Sequence, residues 1–169
     1  MAAEPVVRPL GPGDREAAVV VINAAARWYR EFLPHDELHE PEMTAAQWDA
    51  EARTVRWYGA FDGDALVGVM GLERQGPVAL LRHAYVLPAQ QRRGVGARLR
   101  EHLEAAAGGA ERIIVGTYAG NYKARRALEK AGYAPSPDPV AVLRAHYRIP
   151  EDRLRASVTY EKPLPPAPT

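Results

Sequence analysis

A long apolar run in the middle of this 169-residue chain, Val78 to Leu87, stops at Pro88 and gives way at once to a basic loop holding Gly94 and Gly96. Such a run predicts a strand covered on both faces. Val95, Leu99, Leu103 and Ala106 then recur at helical spacing, so the loop opens into a helix from Gly94 to Ala107, stopped by Gly108-Gly109. The first turn of a helix carries unpaired N–H groups and the positive end of the helix dipole, which together attract phosphate. Gly94 and Gly96 lack Cβ atoms, so a bulky diphosphate can approach the backbone. Arg92, Arg93 and Arg98 add positive charge beside it.

The flanking sequence has a legible order. Val6 to Leu10 reads as a strand, followed by a Gly-Pro-Gly turn and a helix to about Arg30 that Asp14 can cap. Phe32 to Met43, with Pro34 and Pro41, reads as loop. Thr44 and Gln47 form a capping box for a helix ending near Arg53. A hairpin follows, Val55–Phe61 and Ala65–Glu73, turning at Asp62-Gly63-Asp64. Beyond the central helix come a buried strand, Arg112 to Thr117, and a helix from the cap Asn121 through Ala131. Val140 to Arg148 reads as a short helix and Ala156 to Glu161 as a last strand. One domain over residues 1–162 is expected. Residues 163–169 hold four prolines and read as a disordered tail.

Composition narrows the function. There are 22 basic and 21 acidic residues, for a formal charge of +1, which gives no support to a nucleic-acid or membrane-surface role. The absence of cysteine excludes thiol nucleophiles, disulfides and cysteine-held zinc. No signal peptide or spanning segment is visible, and a cytoplasmic location is expected.

The phosphate ligand can be narrowed too. A Walker A loop needs Gly-Lys-Ser/Thr, but Ala97 and Arg98 follow Gly96. The dinucleotide fingerprint needs a third glycine where Leu99 stands.

The stretch resembles the pyrophosphate loop of the GNAT N-acetyltransferase family, Gln/Arg-x-x-Gly-x-Gly/Ala. Gln91, Gly94 and Gly96 fill its places, and Val86-Leu87-Pro88 matches the Val-x-Pro before it. A second family segment, Asn-x-x-Ala followed by Glu-Lys-x-Gly-Phe, is answered by Asn121, Ala124, Glu129, Lys130, Gly132 and Tyr133. With the opening strand, the resemblance covers roughly Val6 to Tyr133.

The resemblance implies an α/β (α+β) fold. Its sheet is mixed and mostly antiparallel, with two splayed central parallel strands and helices on both faces. It implies acetyl-CoA as co-substrate, held by Tyr85, Val86, Leu87, Gln91, Arg92, Arg93, Gly94, Val95, Gly96, Ala97 and Asn121. It also implies transfer of an acetyl group directly to an amine of a small molecule or a protein. Oligomeric state stays open between monomer and homodimer.

Such chemistry needs a proton acceptor for the ammonium, a donor for the thioester oxygen and a proton for the leaving thiolate. In much of the family a tyrosine supplies the last; here Leu128 holds its place, on the helix face expected to look toward the cofactor. Tyr122 and Tyr118 are the candidate substitutes. His83 is the candidate base by chemistry. Arg82 has the parity of the active-site face, and alternation puts the two on opposite faces unless a bulge intervenes. An Arg82 in the cleft would suit an acidic substrate.

Tyr29 and His39, with Tyr118 and Arg82, are candidate acceptor contacts; Trp28 and Trp48 belong to the same wall or to the core. His35 and His39 are spaced like a metalloprotease pair, but Asp36 replaces the required Glu and prolines bracket the segment. No metal site is expected. Leu128 also leaves room for a different function, an acyl-CoA sensor without turnover.

Overall fold

The computed structural model describes residues 4–165. In chain order its elements are β1 (Val6–Pro9), α1 (Arg15–Ala25), α2 (Ala45–Glu51), β2 (Val55–Asp62), β3 (Ala65–Gln75) and β4 (Val78–Val86). There follow α3 (Val95–Ala106), β5 (Arg112–Tyr118), α4 (Tyr122–Lys130), β6 (Ala134–Pro135), α5 (Pro139–His146), α6 (Glu151–Leu154) and β7 (Ser157–Pro163). The strands form one seven-stranded sheet in the order β1-β2-β3-β4-β5-β7-β6. Only β4 and β5 run parallel; every other pair is antiparallel. This is the mixed, splayed sheet that the resemblance implies. Among the described residues no helix is long and apolar enough to cross a membrane.

Each face of the sheet has its own core. Val95, Leu99 and Leu103 of α3 and Leu128 of α4 pack on Tyr58, Met70, Leu72, Leu81, Ile113 and Tyr160. On the opposite face Ala18, Val21, Ile22 and Ala25 of α1 join Trp48, Trp57, Val69 and Tyr85. The valine run Val19–Val21 lies within α1: Val21 and Ile22 point inward while Val20 is exposed.

Local capping is partly as expected. Thr44 N donates to Gln47 Oε1 at 2.8 Å and Gln47 N to Thr44 Oγ1 at 3.1 Å, closing the capping box. Asp14 does not cap α1. Its carboxylate instead accepts from Gly11 N at 2.9 Å and binds Arg8, and those contacts hold its pKa below the usual carboxylate range, Arg8 first. The helix expected to reach Arg30 leaves α geometry at Ala25 and continues as a tighter turn, Ala26–Glu31.

The first residues of the expected tail, Pro163 and Leu164, are ordered here. Pro163 belongs to β7, and Leu164 donates its amide to Glu111 O at 2.9 Å and packs on the core. Residues 166–169 lie outside the described residues. β6 and α6 are too short to leave a periodic signal in the sequence.

Candidate active site

The parallel ladder between β4 and β5 stops early. Its pairs run from Val78↔Arg112 to Leu81↔Val115, after which Arg82–Val86 and Gly116–Tyr118 have no mutual partners. β5 continues to bond β7 down to Tyr118↔Ser157. The two strands therefore part and leave one edge of β4 open. Tyr147 stands at the point of parting, with its hydroxyl 3.3 Å from Leu81 O and 3.1 Å from Ile114 O. Gly116 packs beside its ring, where a Cβ would lie in ordinary contact 3.7 Å from Tyr147 Cζ.

A bulge reshapes the open part of β4. Val69 pairs with Tyr85 and Gly71 with Arg82, so β3 advances two residues while β4 advances three. His83 takes up the extra length at φ 55°, a left-handed conformation that non-glycine residues seldom hold. The bulge undoes simple alternation. Arg82 and His83 share one partner, Glu51 Oε2, at 3.1 and 3.3 Å. His83 is the first cause holding the Glu51 carboxyl below its ordinary pKa. The His83 ring leans across Gly71 toward Trp57, 5.2 Å between ring centres, so it points away from β5.

Arg82 is also held by Glu73 at 3.0 Å and lies over the Tyr147 ring. Two carboxylates thus hold Arg82 inside the fold.

On the other side of the open edge the loop rises from Pro88 to the head of α3. Gly94 sits at φ 75° and offers no side-chain cap. Arg98 N is bonded to Gly94 O at 3.0 Å, and the amides ahead of it have no intrahelical acceptor. A Cβ at Gly94 would meet nothing within 4 Å. The glycine is therefore required by backbone conformation, not by protein packing. Arg92 is strained as well, at φ 71°. Arg93 reaches Gln90 at 2.7 Å and Asp62 at 3.5 Å, and Arg98 pairs with Glu4 at 2.7 Å. Uncapped amides, a side-chain-free turn and three guanidinium groups fit a diphosphate.

A family model described as the Acetyltransferase (GNAT) family matches residues 22–133. The chain belongs to this family. GNAT enzymes use acetyl-CoA as co-substrate. The fold is shared with the PaiA N-acetyltransferase of Thermoplasma acidophilum, solved in complex with coenzyme A, at a TM-score of 0.76 and 15% identity, covering 95% of this chain and 99% of that one. A GNAT-family acetyltransferase of Staphylococcus aureus gives a TM-score of 0.74 at 12% identity, with coverage of 95% and 99%. No curated protein matches by sequence.

Within the GNAT frame the candidate cofactor residues divide by what each can offer. Leu87 N is already bonded to Val67 O at 3.0 Å, so its amide faces β3. Alternation turns the amide and carbonyl of Val86 to the open edge, where Gln91 Nε2 reaches the carbonyl at 3.4 Å. Val95 buries its side chain in the core and can offer only its amide, next to those of Gly96 and Ala97. Tyr85 is buried on the α1 face and offers no side chain to the loop. Asn121 caps α4, taking Ala124 N at 3.2 Å, and accepts a second bond from Trp28 Nε1 at 3.0 Å.

The candidate acceptor residues gather only in part. Tyr29 and His39 line a cavity of about 190 Å³ with Asn23, Arg27, Leu38 and Glu42. The ring centres of Tyr29 and Tyr118 are 4.8 Å apart. The hydroxyl of Tyr29 donates to that of Tyr85 at 3.1 Å, and Tyr85 donates to Glu42 Oε1 at 3.4 Å. Burial raises the pKa of both tyrosines above the ordinary value. Glu42 and Arg153 complete this cluster and carried no local signal in the sequence, since 111 residues separate them. Arg82 and His83 lie apart, beside a second cavity lined by Glu51, Thr54, Glu73, His146 and Arg148.

One further expectation changes, that of Leu128. Leu128 does not look into an open cleft; it is 7% exposed in the α3-side core, which also holds Val115, Tyr133 and Tyr160. Tyr122 is 57% exposed, edge-on to Trp28 at 5.6 Å. His35 lies on a short turn, and the described residues hold no group of three or more side chains that could bind a metal.

Proposed function

We propose that this chain transfers an acetyl group from acetyl-CoA to an amine of a small molecule or protein by direct attack. The observation that carries the reading is the unpaired edge of β4 beyond Leu81, running to within a few residues of the uncapped head of α3. One groove can thus seat an extended thioester arm along Val86 and a diphosphate at Gly94–Ala97. Arg92, Arg93 and Gln91 flank the diphosphate, and Asn121 faces the arm from α4.

In the transfer the amine nitrogen bonds to the thioester carbon and the C–S bond breaks. The ammonium proton leaves to a base, and the thiolate takes up a proton to become the free thiol. A backbone N–H on the open edge of β4 supports the developing oxyanion. His83 remains the candidate base by residue type, and Glu51 holds its ring. Because the ring leans toward Trp57, the proton reaches it through water. Tyr118 and Tyr122 are the candidate donors to sulfur, Tyr118 at the end of β5 and Tyr122 on the first turn of α4.

Leu128 favours a second reading, a sensor that binds acyl-CoA without turnover, since its buried side chain donates nothing. Release of free thiol from acetyl-CoA over a panel of amines separates the two. Tight coenzyme A binding with no thiol released by any acceptor would leave the sensor; failure to bind coenzyme A would remove both.

A further inference from the structure

Resting on that reading, we infer that the acceptor is a free α-amino acid or an equally compact zwitterion, with its ammonium received by Glu42 and its carboxylate by Arg153.

Glu42 and Arg153 form a bidentate pair, NH1 to Oε1 at 2.7 Å and NH2 to Oε2 at 3.0 Å, with the side chains 9% and 11% exposed. Burying two charges costs about as much as their attraction returns, so fold stability is a weak reason for such a pair. Its position gives a better one. Glu42 comes from the loop between α1 and α2, where Asn23 fixes the next residue through Met43 N and Met43 O, both at 2.9 Å. Arg153 comes from α6, across the mouth of the parted strands, and lies 5.6 Å over the Tyr118 ring. Tyr85 binds Glu42 from below and is the neighbour of Val86, whose backbone faces the open edge. The pair therefore sits a tyrosine side chain away from the strand edge assigned to the thioester arm.

The chemistry of the two groups is that of a zwitterion receptor. A carboxylate on a rigid loop suits an ammonium. A guanidinium fork suits a carboxylate and is the geometry Arg153 already makes with Glu42. Arg153 Nε is buried without an acceptor, so the guanidinium keeps an unspent donor. With no acceptor present, each group satisfies the other. An amino acid entering between them replaces one ion pair with two and leaves neither charge bare. Glu42 also lines the cavity beside Tyr29 and His39.

The test compares α-amino acids with their amides and with the amines left by decarboxylation, reading thiol release from acetyl-CoA. The expected result is a kcat/KM at least tenfold higher for the acids. Arg153→Lys keeps the charge but not the fork, and Glu42→Gln keeps the shape but not the charge. Each should raise KM for the preferred acid at least tenfold while coenzyme A binding, read by calorimetry, stays intact. Equal turnover of acids, amides and decarboxylated amines, or a preference for peptide N-termini, would overturn the inference and leave the acetyltransferase standing. Loss of coenzyme A binding in the wild type would overturn both.

Discussion

The indole N–H of Trp28 donates to Oδ1 of Asn121 at 3.0 Å, joining the wall behind α1 to the cap of α4 across 93 residues of sequence. Lys123 lies 4.1 Å over the Trp28 ring, and Phe32 packs so close to Gly120 that a Cβ there would sit 3.0 Å from its ring. Asn121 spends its oxygen on Trp28 and Ala124, which leaves its amide nitrogen for the proposed cofactor. Trp28→Phe keeps the ring and removes the donor. Losing one such bond costs about 1 kcal/mol, so KM for acetyl-CoA should rise roughly fivefold with little change in kcat. Steady-state kinetics at saturating acceptor checks this.

Gly94 gives a second test. Its φ of 75° excludes most side chains on backbone grounds alone, though a Cβ would clash with nothing in the protein. Gly94→Ala should cost about 1 kcal/mol through the left-handed backbone and weaken coenzyme A several-fold. Gly94→Glu adds a carboxylate where diphosphate is proposed to sit and should weaken binding far more. Unchanged calorimetric affinity in the glutamate variant would place the diphosphate elsewhere.

Tyr147 holds the parting of β4 and β5, with two strand carbonyls in reach of one hydroxyl. Tyr147→Phe leaves those buried oxygens short of a donor, at a cost of about 1–3 kcal/mol. A urea midpoint lowered without a change in slope is the expected signature.

Alkaline pH should unfold the protein through its buried tyrosines. Tyr29, Tyr85 and Tyr147 all have pKa values raised above the ordinary phenol value, chiefly by burial. A folded pKa above the unfolded value, which is near 10, stabilises fully below that pH and is lost as pH climbs through the raised folded values. Melting temperature should therefore hold through neutral pH and fall above about pH 10. Tyr29→Phe should make that fall shallower.

Residues within a few positions of each other could be interpreted before the fold was known. The Thr44–Gln47 box, the Asn121 cap and the loop from Pro88 to Gly96 are local patterns, and each has its bond or turn in place. Asp14 failed as a helix cap because Arg8 and Gly11 offered its carboxylate nearer partners. Arg82 and His83 could not be assigned a face, because a single extra residue in β4 resets the alternation and nothing in His-Ala-Tyr announces it.

Sequence alone determined the strand–loop–helix unit, because apolar periodicity, caps and glycine turns act through neighbouring atoms, while the arrangement of the sheet around it came from the family resemblance. The tertiary structure alone decided the surroundings of the open strand edge: the bulge at His83, the sharing of Glu51, and the clasp of Glu42 with Arg153. Those partners are distant in the chain and meet only after two cores have packed, so no local spacing can encode them.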